Sequence, residues 1–334
     1  MGTQYHITIV GSLAGSKFSH TSLQSEIDLL LNKINQQMST YITDSEISQF
    51  NQFTEKQWFP VSSDLAFVVL SSLEVSKQTS GAFDITLAPL IDLWGFGATE
   101  QLNFPQNEEI DEALKDVGYT LLEVSLDPVA LRKSKPKLRI DLSAIAKGYA
   151  VDKVSDFLTL NGYKNYLVEI GGEIRAQGKS ASGFPWRIGI EMPDRFDGKV
   201  KEHLLVSNIS LATSGDYRNY FMNKGIRYSH TLDPRTGKPV THNLASVTVL
   251  HNSAMMADAY ATALSVMGEE KGKRFVEDQA RKMRVNMITR KKLGFTHWQN
   301  IDEIKIPQSS NNCEVDGIKM NKNSKKWGGC IYLD

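Results

Sequence analysis

Apolar and polar residues alternate in YHITIVG, Tyr5 to Gly11, the period-two signature of a half-buried strand. From Thr21 to Ser39 the period changes. Leu23, Ile27, Leu30, Leu31, Ile34 and Met38 recur at intervals of three and four, which predicts an amphipathic helix. A second such helix is predicted over Ser63 to Ser80, with serine at its start and Gly81 placed to end it. SGAFDITLAPLIDLWGFG, Ser80 to Gly97, holds too much Gly and Pro for a long helix and reads as a loop followed by a short helical piece. LRIDLSAIAKGYAVDKVSDFLTLNG reads as a strand (Leu138 to Leu142), a loop, and a helix ending near Asn161–Gly162. A meander follows. YLVEIGGEIRAQG predicts a hairpin around Gly171–Gly172, WRIGIEMP another strand, and LLVSNISLATSG, YRNYF, RYSHTLD and LASVTVL four more strand candidates. SAMMADAYATALSVMG, Ser253 to Gly268, is a strongly apolar helix with Ser253 as N-cap. A charged amphipathic helix from about Glu269 to Met283 and the strand RVNMITR close the body.

This order is neither a regular βαβ alternation nor all-β. It predicts an α+β architecture with mixed, largely antiparallel sheets and packed helices. Beyond about residue 300 the chain turns polar, Asn/Lys/Ser-rich and aperiodic, so the expected organisation is a body over residues 1–298, as one domain or two closely packed subdomains, and an appended or poorly ordered tail over 299–334.

Composition narrows the chemistry. Lys plus Arg and Asp plus Glu both number 38, so no excess positive charge exists for nucleic acid or an anionic bilayer. An anionic ligand must instead meet a local device: a few cations, a helix N-terminus or a metal. The two cysteines, Cys313 and Cys330, both lie in the tail and belong to no CxxC or Cys/His cluster, which argues against a zinc site and leaves their pairing open. No run reaches the roughly 18 apolar residues of a membrane helix. The opening MGTQYHITIVGS shows no signal peptide, which fits a cytosolic protein or one whose leader has been removed.

Three stretches carry chemistry. In SAMMADAYATALSVMG, Asp258 and Thr262 stand four apart and so share one helix face. A carboxylate in so apolar a helix costs several kcal/mol unless it is paired or binds a cation, so it meets an arginine or holds a hard cation such as Mg²⁺, which suits carboxylate and hydroxyl oxygens. In DLSAIAKGYAVD, a strand ending at Asp141 leads through small residues into a helix with Lys147 near its first turn, an anion-receptive layout or an ordinary connection with a surface lysine. In SGAFDITLAP, Phe83 could stack on a planar ring and Asp84 accept its hydrogen bonds, or the pair forms a capped helix end with a core phenylalanine. GFG at Gly95–Gly97 lacks the third glycine and the βαβ context of a dinucleotide fingerprint.

Taken in order, MGT…Y, SGAFDITLAPLIDLWGFG, DLSAIAKGYAVD, EIGGEI, SGDYRNYF, YSHTLDPRTGKPV and ADAYATAL closely resemble the ApbE family of bacterial flavin transferases, from Met1 to about Phe295. The resemblance implies an ApbE-like (T-fold-like) architecture. It further implies Mg²⁺-dependent cleavage of FAD, transfer of the FMN half to a Thr or Ser hydroxyl of an acceptor flavoprotein, such as a subunit of a membrane redox complex, and release of AMP. By similarity, Asp258, Thr262 and the backbone carbonyl of Ala144 would hold Mg²⁺. FAD contacts would fall on Met38, Ala82, Phe83, Asp84, Asp141, Lys147 and Leu232, with Met38 and Leu232 supplying apolar surface. His230 is the candidate base, since an ordinary imidazole titrates near neutrality, or it only bonds backbone in its turn. Asp233 is expected to organise that turn through its side-chain oxygens, with Pro234 and Gly237 setting its geometry, while Arg235 faces a phosphate or solvent. Two other readings keep the same residues: an FAD pyrophosphatase releasing FMN and AMP, and a non-catalytic flavin-binding protein. Family members are commonly exported, which implies a periplasmic or inner-membrane-anchored protein if a leader was removed, and a cytoplasmic one otherwise.

Overall fold

The initial alternation becomes strand β1 (Tyr5–Ile9), whose Tyr5, Ile7 and Ile9 are buried. The protein is described by a computed structural model covering residues 2–11, 18–97, 104–191, 193, 200–215, 220–223, 226–278, 283–301 and 329–333. Helix α1 (His20–Met38) buries Leu23, Ile27, Leu31, Ile34 and Met38, and starts at Ser19, whose hydroxyl accepts from Ser22 N. Each such fully buried Leu or Ile contributes about 2 kcal/mol. After α2 (Glu46–Gln52) and β2 (Phe59–Pro60) comes α3 (Ser63–Gln78), N-capped by Ser62 and turned off at Gly81, which takes φ 74°. Short helices α4 (Ala88–Leu93) and α5 (Asn107–Leu114) precede the β3 (Leu122–Leu126) and β4 (Val129–Lys133) hairpin, which joins β2 in a three-stranded sheet.

Helix α6 (Ala146–Leu160) leads to the hairpin β5 (Tyr166–Ile170) and β6 (Glu173–Gln177), turning at Gly171–Gly172 as the sequence predicts. Strands β7 (Trp186–Glu191) and β8 (Val200–Val206) pair with each other, whereas β9 (Ile209–Gly215) crosses into the main sheet. The ladders of β10 (Tyr220–Asn223) with β11 (Ile226–Ser229), and of β12 (Leu232–Asp233) with β13 (Lys238–Pro239), lie outside that sheet. Strand β14 (Leu244–His251), helix α7 (Ala254–Asp278), β15 (Arg284–Arg290), β16 (Phe295–Gln299) and β17 (Gly329–Leu333) follow.

The main sheet runs β16-β15-β14-β9-β6-β5-β1-β17, antiparallel at every pairing except β1 with β17. Both faces are covered. Helices α1, α6 and α7 contribute to the large core that includes Val247 and Val249, while Trp186, Ile188 and Val206 of β7–β8 pack on Ala176, Leu211 and Leu250. Burial on two sides explains why LASVTVL is buried throughout instead of alternating. The architecture is α+β and largely antiparallel. No helix among the described residues is long and apolar enough to cross a membrane.

Several local expectations change. Leu138 to Leu142 is not a strand. Its backbone groups are met by side chains and loops: Asn51 bonds both Ile140 N (2.7 Å) and Ile140 O (2.8 Å), Lys133 Nζ donates to Leu138 O (2.9 Å), and Asp141 N donates to Ile85 O (2.8 Å). LLVSNISLATSG splits at Asn208, φ 55°, into β8 and β9. The apolar and charged helical patterns do stay distinct: α7 is two helices that meet at a kink at Gly268, whose φ 77° and ψ 174° are not helical. Residues 279–282, the expected end of the charged pattern, lie outside the described residues, as does the tail over 302–328 with Cys313. Cys330 falls in β17, opposite His6 of β1.

Candidate functional site

The site is organised by how α7 begins. Asp152 on α6 accepts from the Ser253 hydroxyl (2.6 Å), Ala254 N (2.9 Å) and Met255 N (3.0 Å), meeting donors that a helix N-terminus leaves free. Ser253 is the N-cap expected from sequence, its Oγ accepting from Met256 N at 3.2 Å. Arg175 Nη1 on β6 donates to Asp152 Oδ1 (3.2 Å) and Asn252 O (2.9 Å), tying the same corner to the sheet. One turn into α7 stands Asp258, 4% exposed, its Oδ2 accepting from Gly148 N at 3.1 Å. That bond requires glycine. A Cβ on Gly148 would collide with the Ala254 carbonyl oxygen and lie 2.7 Å from Met255 Cα.

Lys147, the residue before, places Nζ 3.7 Å from Asp258 Oδ2 and 3.4 Å from Glu173 Oε1, and donates to Ser143 O at 3.2 Å. Glu173 opens β6 immediately after the Gly171–Gly172 turn. Gly171 has φ 61°, and a Cβ there would press on Thr3 at 2.9 Å and on Lys147 Cδ at 3.3 Å. Glu173 Oε2 is buried without a hydrogen-bond partner. One ammonium therefore faces two buried carboxylates. Burial pushes the Asp258 carboxyl up, against the pull of Lys147 and the Gly148 N–H. Burial pushes Glu173 up to about 8, with Lys147 opposing and Asp258 adding repulsion. Burial works against the Lys147 ammonium, yet the charges of Asp258 and Glu173 prevail and hold it above the usual lysine range. The Lys147 side chain keeps 25% of its surface exposed against 4% for Glu173, so the cluster opens on its cationic side.

Thr262, one helical turn beyond Asp258, lies with Oγ1 3.2 Å from Ser214 Oγ of β9. If Thr262 donates to Ser214, its lone pairs are free for a cation. Ala144 sits in the half-buried turn between Ser143 and Ile145 that starts α6. Carboxylate, hydroxyl and carbonyl oxygens suit a hard cation, and the orphaned Glu173 Oε2 marks a place where a positive group is wanted. Among the described residues no three His, Cys, Asp or Glu converge as a metal cluster, so beyond the carboxyls of Asp258 and Glu173 further ligands to such a cation would be carbonyls, hydroxyls, waters or substrate oxygens.

A second set of residues joins through Ser143. Asp141 Oδ1 accepts from Ser143 N (2.8 Å), Oδ2 accepts from the Thr40 hydroxyl (3.1 Å), and Asp141 N bonds Ile85 O. Asp141 thereby brings the end of α1, where Met38 is buried, against the loop after α3 and the turn before α6. In that loop Ala82 and Phe83 are 1% and 2% exposed, so the Phe83 ring packs in the main core and does not stand out as a stacking platform. Asp84 accepts from Thr86 N (2.8 Å), the Thr86 hydroxyl (2.7 Å) and Tyr119 N (2.8 Å), and its carboxyl is pushed up by burial against those bonds. Tyr41, next to Thr40 in sequence, is 61% exposed.

Leu232 lies elsewhere, buried against Leu90, Trp94 and Ile110 in a small core beneath α4 and α5. His230 is exposed on the turn between β11 and β12. The turn after Leu232 is organised by Asp233: its carboxylate accepts from Arg235 N (3.0 Å), Nε (2.8 Å) and Nη2 (2.8 Å), and its carbonyl accepts from Gly237 N (2.8 Å). Burial pushes Asp233 up, but Arg235 overrides it and holds the carboxyl below its ordinary value. Arg235 thus has a partner in its own turn. Trp94 Nε1 donates to Gly237 O (2.8 Å), and a Cβ on Gly237 would lie 2.6 Å from Ile110, so the turn is seated on α4 and α5.

Glu173, Gly148, Asp152 and Ser214 escape prediction from sequence. The only linear signal was the acid following a double glycine in EIGGEI, whose burial and partners depend on strand register and on α6 packing over β6.

The chain is similar to known proteins over most of its length. The ApbE family model matches residues 1–287. The FAD:protein FMN transferase of Vibrio cholerae is 44% identical over 301 residues, covering 89% of this chain and 88% of that protein. Its counterpart in Haemophilus influenzae is 40% identical, covering 88% and 86%. A solved histidine-to-glycine mutant of the flavin transferase ApbE from Vibrio cholerae superposes with TM-score 0.82 at 43% identity, over 90% of this chain and 94% of that one.

Proposed function

The chain belongs to the ApbE family, and from that premise we propose that it moves the FMN half of FAD onto a Thr or Ser hydroxyl of an acceptor protein, with Mg²⁺, and releases AMP. The observation that carries the reading is the buried cluster of Lys147, Glu173 and Asp258, in which two carboxyl groups share one ammonium and Lys147 faces the opening. Asp258, Thr262 and the Ala144 carbonyl would hold Mg²⁺. When bound, it neutralises charge on the pyrophosphate as the P–O bond breaks. Lys147, held by two carboxylates, directs its ammonium at the phosphates. Asp141 and Asp84 set the loops that carry Ala82, Phe83 and Ala144, so the backbone there meets the ligand in fixed geometry. Met38, buried at the end of α1, would act as apolar support beneath these segments, and Leu232 would do so only from the separate small core under α4 and α5.

The reaction balances simply. The acceptor hydroxyl oxygen bonds to the phosphorus of the FMN half, the bridging P–O bond breaks, AMP departs, and His230 takes the hydroxyl proton. Water in place of the hydroxyl would give FMN and AMP.

The test incubates the protein with FAD, MgCl₂ and a peptide bearing a candidate Thr. Transfer gives a covalent FMN adduct with equimolar AMP; FMN and AMP without adduct would establish hydrolysis instead, and intact FAD would refute both. Asp258→Ala should abolish Mg²⁺-dependent turnover with FAD binding largely kept. His230→Ala should slow transfer more than it weakens FAD affinity.

A further inference from the structure

Beyond holding Lys147, Glu173 has no role in the scheme so far, although it is 3% exposed and its carboxyl lies in the same cluster as Asp258. A buried carboxylate is costly unless its oxygens are met. Oε1 is met by Lys147 Nζ at 3.4 Å; Oε2 is buried and unmet. Lys147 is shared, since Asp258 Oδ2 lies 3.7 Å from the same nitrogen, so its single charge cannot balance both acids. Its remaining contact, Ser143 O, brings no charge. The backbone places this acid deliberately: Gly171 clears the space in which Thr3 and Lys147 pack, and Glu173 begins β6 within the sheet that α6 and α7 cover.

Resting on the metal reading above, we infer that Glu173 is a second anionic group of the cation site, a positioning residue whose Oε1 holds Lys147 off Asp258 and whose Oε2 acts on the bound divalent cation. Two consequences follow. With Glu173 present, a divalent ion brings the three side chains and the metal to a net positive charge that matches a pyrophosphate. Without it, Lys147 has one carboxylate partner left and pairs with Asp258, which competes with the metal for that ligand.

The test reads cation binding directly. Wild type, Asp258→Asn and Glu173→Gln are titrated calorimetrically with MgCl₂ in saturating ADP, a pyrophosphate that carries no flavin. Wild type should bind, Asp258→Asn should lose binding, and Glu173→Gln should bind at least about tenfold more weakly, the scale on which groups that orient metal ligands act. If Glu173→Gln binds within threefold of wild type while Asp258→Asn does not bind, the inference is overturned and the metal site stands. If Asp258→Asn binds as wild type does, the metal reading itself fails. The rise in melting temperature on adding MgCl₂ and ADP gives a second readout for a destabilised variant, and should be at most half as large in Glu173→Gln. Should that variant not fold, Glu173→Asp keeps the charge but withdraws it by one methylene; wild-type Mg²⁺ affinity there would overturn the inference as well.

Discussion

Replacing Asp152 with alanine tests how the helix that carries Asp258 is held. Asp152 is a cap supplied in trans: one carboxylate accepts from Ser253 Oγ, Ala254 N and Met255 N and receives Arg175 Nη1. In Asp152→Ala, two backbone N–H groups at the start of α7 lose their acceptor. Loss of an N-cap costs about 0.5–2 kcal/mol. A charge-assisted hydrogen bond is worth about 1.5–3 kcal/mol. Ser253 Oγ still accepts from Met256 N, and Arg175 keeps Asn252 O, so the terms overlap instead of adding. The expected loss is about 2–3 kcal/mol, which for a chain of this size lowers Tm by roughly 3–4 °C. Differential scanning calorimetry measures it, with Mg²⁺-dependent FMN release assayed alongside. Asp258 sits about one turn from the frayed end, so kcat should fall several-fold while KM for FAD changes little. A Tm within about 1 °C of wild type, or a change confined to KM, would refute the claim that Asp152 positions Asp258 through the helix end.

Three further outcomes follow from the same geometry. Gly148→Ala introduces a Cβ against Ala254 O, so α6 and α7 must part; activity should fall at least tenfold and Tm drop, and a wild-type Tm would show that the helices need no glycine contact. Lys133→Met removes a buried ammonium that donates to Phe50 O, Asn51 O and Leu138 O; urea denaturation should show a loss on the order of 3 kcal/mol, with an unchanged midpoint counting against it. Asp64 is pushed up by burial, but the Tyr149 hydroxyl, Lys153, Gln37 and Lys33 together hold it below its ordinary value. Its folded form therefore binds protons less readily than the unfolded chain, and its stabilisation is present above an ordinary aspartate pKa of about 4 and lost as pH falls through the lower folded value. Melting curves from pH 5 to pH 2 should show a shallower acid decline in Asp64→Asn than in wild type, and parallel declines would remove Asp64 from the linkage.

How legible the site was depends on the distance over which each residue finds its partner. Asp258 and Thr262 could be read from an i, i+4 spacing within a helix too apolar to face water. Ser253 as cap and the Gly171–Gly172 turn are likewise local features, and the structure retains them. Leu138 to Leu142 misled because an apolar run of five looks like a strand wherever its hydrogen bonds go; here they go to Asn51 and Lys133, far away in sequence. Phe83 had two readings, and core packing selected one.

The period of each major element, the α+β class and the sharing of one α7 face by Asp258 and Thr262 were legible in the chain, because these follow from the spacing of side chains along one segment. Only the packing of distant segments settles that Lys147 lies between Asp258 and Glu173, that Gly148 donates across to α7, and that Asp152 caps a helix whose N-cap residue stands 101 residues later. Those contacts depend on the register of β6 in the sheet and on how closely α6 approaches α7, and neither quantity is encoded in any local period.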